Sequence, residues 1–285
     1  MLAVVSTQDP SAVEGEVQSA YLELFADGNR LFVPQVFGWL VECFTGNYDD
    51  YQAVDTKYHD MEHTLQGALC MFRLLRARHR AGVEPVLTGR MFELGLLAIL
   101  LHDSGYLKRR GDREGTGAKY TLTHVGRSAE FAAEFLGKRG FSAAEINSVQ
   151  NMIRCTGVDV NLSAIPFESE LERITAFALA TADLLGQMAA EDYVEKLPVL
   201  FAEFAEAKHY SNGQSHFISA FSSAGDLMAK TPRFWAEFVF PKLKREYAGL
   251  YRFLNDPYPD GPNPYVERIE KNMQRLKQGL SLPQV

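Results

Sequence analysis

Residues 168–190 read ESELERITAFALATADLLGQMAA. Charge crowds the first six positions, and small or apolar side chains fill most of the rest, apart from one acid, Asp183. So long an apolar segment predicts a central helix buried on most of its surface.

The helical rhythm extends outward in both directions. Val13, Val17, Tyr21, Leu24 and Phe25 recur at three- and four-residue steps between Ala12 and Asp27, and Leu31–Phe44 continues the pattern until Thr45-Gly46-Asn47 closes it. From His63 to Arg80, Leu65, Leu69, Phe72 and Leu75 share one face, with Arg73, Arg76, Arg78 and Arg80 expected towards water. Thr88 reads as the cap of a helix running to about Leu101. Ser142 to Glu145 fits a capping box, and Gly140 suits the end of the preceding helix. Phe201–Lys208, Phe217–Ala229, Phe234–Leu254 and Tyr265–Gln278 also read as helices. No run alternates with period two, and clusters of β-branched residues are missing. The expectation is a compact all-α fold. The breaks at 83–85, 109–119, 157–166 and 256–264 lack the composition of flexible linkers, so residues 1–285 are expected to form a single domain, with the last helix as an appendage.

Composition narrows the class of function. With 285 residues, 46% hydrophobic and 23% charged, the chain is neither disordered nor low-complexity. A net charge of -7 argues against nonspecific nucleic-acid binding, which draws its affinity from Lys and Arg. Cys43, Cys70 and Cys155 stand far apart without a CxxC pair, as expected of reduced intracellular thiols. The start MLAVVSTQDPSAVEGE lacks the basic and apolar regions of a signal peptide, and the apolar run Leu94–Leu101 is too short to span a membrane. A cytoplasmic enzyme is expected, with neither nucleic acid nor membrane as partner.

Histidines and acids meet at three places. Tyr58-His59-Asp60-Met61-Glu62-His63 holds two imidazoles four positions apart, which would share a face if helical. His102-Asp103 directly follows the apolar run 94–101, and Asp183 sits inside its own apolar helix. A carboxylate removed from water must be paired, hydrogen-bonded or metal-bound. The base nearest Asp183 in sequence, Arg173, is ten residues away, so its partner must come from elsewhere. A divalent ion held by His63, His102, Asp103 and Asp183 would satisfy both acids. Mixed imidazole and carboxylate donors suit Zn, Fe, Mn or Ni, and added waters suit Mg or Mn.

The order of these residues resembles the HD superfamily of metal-dependent phosphohydrolases, and the stretch 58–63 is similar to the Tyr-His-Asn-x-x-His motif of its cyclic-nucleotide phosphodiesterase branch. The resemblance covers residues 58–190 and implies an all-α, phosphodiesterase-like core with flanking helices. It implies His63, His102, Asp103 and Asp183 as ligands of one metal, Asp103 as the bridge to a second ion where one binds, and His124 beside that second position. His59 corresponds to the general acid, and Asp60 replaces the family's Asn. The implied substrate is a small phosphorylated molecule of nucleotide-like character. Lys108 and Arg109, next to the His-Asp pair, are candidates for binding its phosphate. Aligning Pro241 with the family's proline puts Phe234 on the base-stacking position but Thr231 where the family has a glutamine, so cyclic AMP and cyclic GMP are expected to be poor substrates.

Two alternatives compete. His59-x-x-Glu62-His63 also matches the H-x-x-E-H pattern of zinc peptidases, with Glu62 as base and Glu130 or Glu134 as third ligand. The same residues would also serve a metal-holding sensor without turnover.

Overall fold

The computed structural model describes residues 5–157, 160–211, 218 and 220–279. Helices begin where short polar caps satisfy their first amides: Asp9 for α1 (Pro10–Leu24), Asp60 for α3 (Met61–Arg80) and Thr88 for α4 (Gly89–Leu101). α2 (Phe32–Phe44) lies between, closed by Gly46 at φ 75°. α5 (His124–Gly137) leads through Gly140, at φ 79°, into α6 (Ala143–Arg154), which carries the complete Ser142–Glu145 capping box. α7 (Glu170–Met188) is capped by Ser169, α8 (Tyr193–Tyr210) follows, and α9 (Ala224–Phe234), α10 (Phe240–Arg245) and α11 (Pro264–Gly279) complete the described chain. Among the described residues there is no strand, only an isolated bridge between Tyr51 and Arg109. The fold is all-α.

α7 is the central helix, with Thr175 to Ala182 buried along consecutive turns. α3 packs along it, α4 and α6 cover other faces, and α1 lies outside α3. Contact between α3 and α7 is unusually close because two glycines meet there. A Cβ added to Gly186 would stand 2.8 Å from the backbone of Gln66, and one added to Gly67 would stand 3.8 Å from the Asp183 Cα. That crossing puts the first two turns of α3 opposite the last two turns of α7.

Several expectations change. Arg76 and Arg80 face Glu16 and Glu23 at the surface, but Arg73 and Arg78 are buried. Arg78 donates to the carbonyls of Glu84 and Pro85 at 3.0 and 2.8 Å, and Arg73 donates to the Tyr265 hydroxyl at 3.2 Å. Guanidiniums with fixed oxygen partners can be taken out of water. The expected 234–254 helix is three pieces: a π turn at Trp235–Val239, α10, and a 3-10 turn at Leu250–Leu254. Ala248 and Gly249, at φ 54° and 65°, break it. α8 begins eight residues before the expected 201–208 helix because it carries Pro198 in its interior, which reads as a breaker in sequence. The expected 217–229 helix is seen from Ala224, and Phe217 lies outside the described residues. The last helix is no appendage: Ile269, Met273 and Leu276 are buried, and the Asn272 amide donates to the carbonyls of Met188 and Ala190 at 3.0 and 2.9 Å, capping α7.

Helix propensity alone makes Gly186→Ala stabilising by about 0.5–1 kcal/mol. The contact with Gln66 reverses the sign. The variant is expected to lose ~1–3 kcal/mol from forced separation of α3 and α7, read as a Tm several degrees lower. A Tm equal to or above the parent's would show that the crossing tolerates a methyl group.

Candidate metal centre

Helix ends, rather than helix faces, supply the site. His63 lies in the first turn of α3, His102 at the C-cap of α4 with Asp103 directly after it, and Asp183 in α7 across the crossing. Asp60, the residue replacing the family's Asn, is a helix cap: its side chain accepts from the His63 amide at 2.9 Å. It thereby fixes the turn that carries the imidazole. Asp103, His102 and His63 are all buried, and the Asp183 side chain is 13% exposed.

His63 Nε2 lies 3.1 Å from Asp103 Oδ2 and 3.2 Å from Asp183 Oδ1, and His102 Nε2 lies 3.4 and 3.5 Å from the same oxygens. Donor atoms around one ion with bonds of ~2.0–2.2 Å stand ~3.0–3.5 Å apart, so each imidazole nitrogen lies at a shared-ion distance from both carboxylates. Chemistry agrees with spacing. The His102 Nδ1 proton goes to the Ile99 carbonyl at 2.7 Å, so in the neutral ring Nε2 presents a lone pair to the carboxylates. His102 Nε2 and Asp103 Oδ2 are buried without a hydrogen-bond partner. Electron-rich atoms facing each other at this range need a positive charge, either a shared proton or a cation. His63, His102 and Asp103 also form a group able to hold a metal.

The electrostatics show the same demand. Burial opposes a charge on His63, but Asp103 and Asp183 overcome it and push the imidazole up to about 10. His102 is raised by the same acids against the same burial. Burial raises the two acids, yet the imidazoles hold Asp103 well below the usual carboxylate range and lower Asp183 as well.

His124 lies where the resemblance implied, at the start of α5, with Nε2 3.8 Å from Asp103 Oδ1 and Nδ1 2.6 Å from the Thr121 carbonyl. Gly105 makes this approach possible, since a Cβ there would stand 2.1 Å from the His124 carbonyl oxygen. Burial lowers His124, keeping it a neutral donor. His59 lies in the loop before α3, so the expected shared helix face with His63 does not exist. Its Nδ1 is 2.6 Å from Glu203 Oε2, while Glu203 Oε1 accepts from the amides of Lys57 and Tyr58 at 2.8 and 2.7 Å. Burial raises Glu203, but the His59 contact and these amides outweigh it and keep the carboxylate ionised. The Tyr106 ring packs against both the His59 and the His124 imidazoles, with centroids 4.5 and 4.7 Å away, and the two imidazoles stand 6.2 Å from each other.

Sequence reasoning missed Glu203 and Tyr106. Glu203 carries the signal that singled out Asp183, an acid among apolar neighbours (Leu200, Phe201, Phe204). Tyr106 carries none.

Other candidates lie elsewhere. Lys108 is buried in a pair with Asp55 at 3.0 Å and donates to the Gly115 carbonyl at 2.6 Å, and Arg109 lies over the Tyr51 ring and beside Glu134. Neither lines the cavity, because fixed loop contacts hold both charges. Glu62 accepts from Lys196 at 2.8 Å and the Thr7 hydroxyl at 3.4 Å, Glu134 faces Lys138 and Arg109, and Glu130 is exposed. These positions do not assemble the peptidase arrangement.

The donor cluster opens into a cavity of ≈ 750 Å³. His59, Asp103, His124 and Asp183 stand in its wall, and Phe234 and Thr231 of α9 also line it. The Phe234 ring stacks on Phe238 at 5.1 Å, and the Thr231 hydroxyl donates to the Leu227 carbonyl at 2.8 Å.

Fold and site together define an all-α protein with a His/Asp cluster able to hold a metal ion. The chain belongs to the Npun_R2479-like family, whose model matches residues 109–252. The match includes His124, Asp183, Glu203 and Phe234 and begins after His59, His63, His102 and Asp103. No curated protein matches the sequence. Among the described residues, no helix is long and apolar enough to cross a membrane.

Purified protein dialysed against Mn²⁺ or Zn²⁺ is expected to retain at least one equivalent by elemental analysis, and Asp103→Ala and Asp183→Asn to retain none. Stoichiometric metal in both variants would refute the ligand set. Metal and proton compete for His63. With its value raised from 6.5 to about 10, the stabilisation His63 gives metal-stripped protein is complete below about pH 6.5 and disappears as pH rises towards 10. The Tm gained on adding metal should therefore be larger at pH 9 than at pH 6. An equal or smaller gain at pH 9 would contradict this coupling.

Proposed function

We propose that this protein is a metal-dependent phosphohydrolase of HD type, cleaving a small phosphoester. The observation that carries the reading is the His59–Glu203 pair, standing in the same cavity wall as the His63/His102/Asp103/Asp183 donor set. A metal-holding sensor needs the donors but has no use for a second imidazole braced by a buried carboxylate.

His63, His102, Asp103 and Asp183 would hold the ion, with His124 beside Asp103 Oδ1 where a second would sit. A divalent ion there would polarise the phosphoryl group and lower the pKa of a bound water. Glu203 keeps the proton of the neutral His59 ring on Nδ1 and leaves Nε2 for the cavity, the atom from which a protonated ring would pass a proton to the departing alkoxide. Tyr106 packs on both rings, at 16° to the His59 plane and 20° to the His124 plane, and the two imidazoles are tilted by 35° to each other. Gln187 steadies the floor, donating to the Asp183 carbonyl and accepting from the Tyr58 hydroxyl.

On an alkyl phosphodiester with added Mn²⁺, His59→Ala is expected to lose ~10²–10⁴ in kcat while keeping its metal, and Glu203→Gln to lose less. On bis-p-nitrophenyl phosphate, whose leaving group needs no proton, the loss should be much smaller. Equal losses on both substrates would remove the general-acid role, and absence of turnover on either by the parent protein would favour the sensor. Cyclic AMP and cyclic GMP should remain poor substrates, and kcat/KM at or above ~10⁴ M⁻¹s⁻¹ on either would overturn that expectation.

A further inference from the structure

The cavity beyond the donor cluster is built for something other than a nucleobase. Away from the histidines and acids its wall comes mainly from aliphatic side chains on several elements, including Leu122, Val160, Leu184, Leu200 and Leu227. Most of the polar groups among them are already engaged, the Tyr193 hydroxyl and the Asn161 side-chain NH2 being the exceptions. Thr121, Thr156 and Thr231 donate their hydroxyl protons to the carbonyls of Ala118, Ile153 and Leu227 at 2.6–2.8 Å. The amide of Gln187, the glutamine in this wall, donates to Asp183 and accepts from Tyr58. The Asn161 carbonyl oxygen accepts from the Ser163 amide and hydroxyl. Arg154 lies at the exposed rim, with one guanidinium nitrogen on Asn151.

A purine needs a donor–acceptor pair for its edge and a ring face to stack on. Here the glutamine and the threonines that could read such an edge are spent on the protein itself, and Asn161 and Arg154 lie at the exposed rim. Four of the rings in the wall or beside it are paired with one another, Phe204 with Phe221 and Phe234 with Phe238. Burying unpaired base edges against such a wall is unfavourable. An alkyl chain brings no polar groups to satisfy, and a cavity of ≈ 750 Å³ accommodates an organic group of drug-like size.

We infer that the substrate's organic group is a flexible aliphatic chain, so that this protein hydrolyses an alkyl or isoprenoid phosphoester, its phosphate at the histidine cluster and its chain in the α7–α8–α9 cavity. The inference rests on the phosphohydrolase reading for its chemistry and on the cavity wall for its specificity. Hydrolysis breaks the bond between phosphorus and the leaving oxygen, water supplies the new P–O bond, and the proton ends on the departing alcohol.

Two series with chains of one, four and eight carbons, used below their micelle concentrations, separate these parts. In p-nitrophenyl alkyl phosphodiesters the leaving group is constant and only the chain varies, and the matching alkylphosphonates report binding to Mn²⁺-loaded protein by calorimetry without turnover. Each buried methylene is worth up to about fourfold, ~0.8 kcal/mol, so kcat/KM and phosphonate affinity are both expected to rise at least ~100-fold from methyl to octyl. Leu227→Trp, which narrows the cavity, should bring the octyl-to-methyl ratio down towards one. Turnover that is independent of chain length, with equally flat phosphonate affinity, overturns the inference and leaves the phosphohydrolase reading standing. Phosphonate affinity that climbs with length, without hydrolysis of any diester, overturns the hydrolase and upholds the aliphatic occupant.

Discussion

Two carboxylates withdrawn from water govern this structure. Asp103 and Asp183 face the same two imidazole nitrogens across 3.1–3.5 Å, and among the described residues no lysine or arginine ion-pairs with either. An isolated buried carboxylate is far too costly to persist, so the cluster must take up positive charge, as protons on His63 and His102 or as a metal ion. The direction of every shift in the cluster expresses that demand: the imidazoles are raised and the acids lowered, against burial in each case. A site of this kind could hold a cation because the fold has already met the cost of bringing its acids together.

Backbone packing makes the cluster possible. Gly67 and Gly186 let α3 and α7 approach closely enough for His63 to reach Asp183, and Gly105 lets the turn after Asp103 touch the start of α5, which brings His124 in. His63, His102 and Asp103 sit at helix ends, where a terminal turn can be aimed independently of the face its helix buries, and Asp183 meets them from inside α7. α4 shows this division plainly: its body, Leu94–Leu101, is wholly core, and the next two residues, His102 and Asp103, are wholly site.

Legibility in the sequence followed the range of the forces involved. Caps and periodicity act within one or two turns, and so Thr88, the Ser142–Glu145 box and the long apolar α7 could be read directly. An acid in an apolar context also announced itself, since its penalty is local even when its partner is distant; Asp183 was found this way and Glu203 could have been. What failed was the fate of long cations. Arg73 and Arg78 read as solvated charges and Lys108 as a phosphate ligand, yet each is buried because oxygens far away in sequence or fixed by a loop receive it. The 234–254 segment failed for a related reason: its apolar rhythm continues through a backbone that turns at Ala248 and Gly249 to pack on its neighbours.

The sequence by itself determined that the fold is all-α, where most helices start, and that His63, His102, Asp103 and Asp183 need a common partner. Each of these depends on neighbouring residues or on the cost of burying a charge, which composition and spacing encode. Only the tertiary structure decided that Glu203 braces His59, that Tyr106 packs against both His59 and His124, and that the cavity wall is mainly aliphatic with its threonine hydroxyls and glutamine amide already paired. These depend on which surfaces of α5, α7, α8 and α9 converge, and convergence is set by packing over long separations in the chain, for which no local spacing stands as a sign.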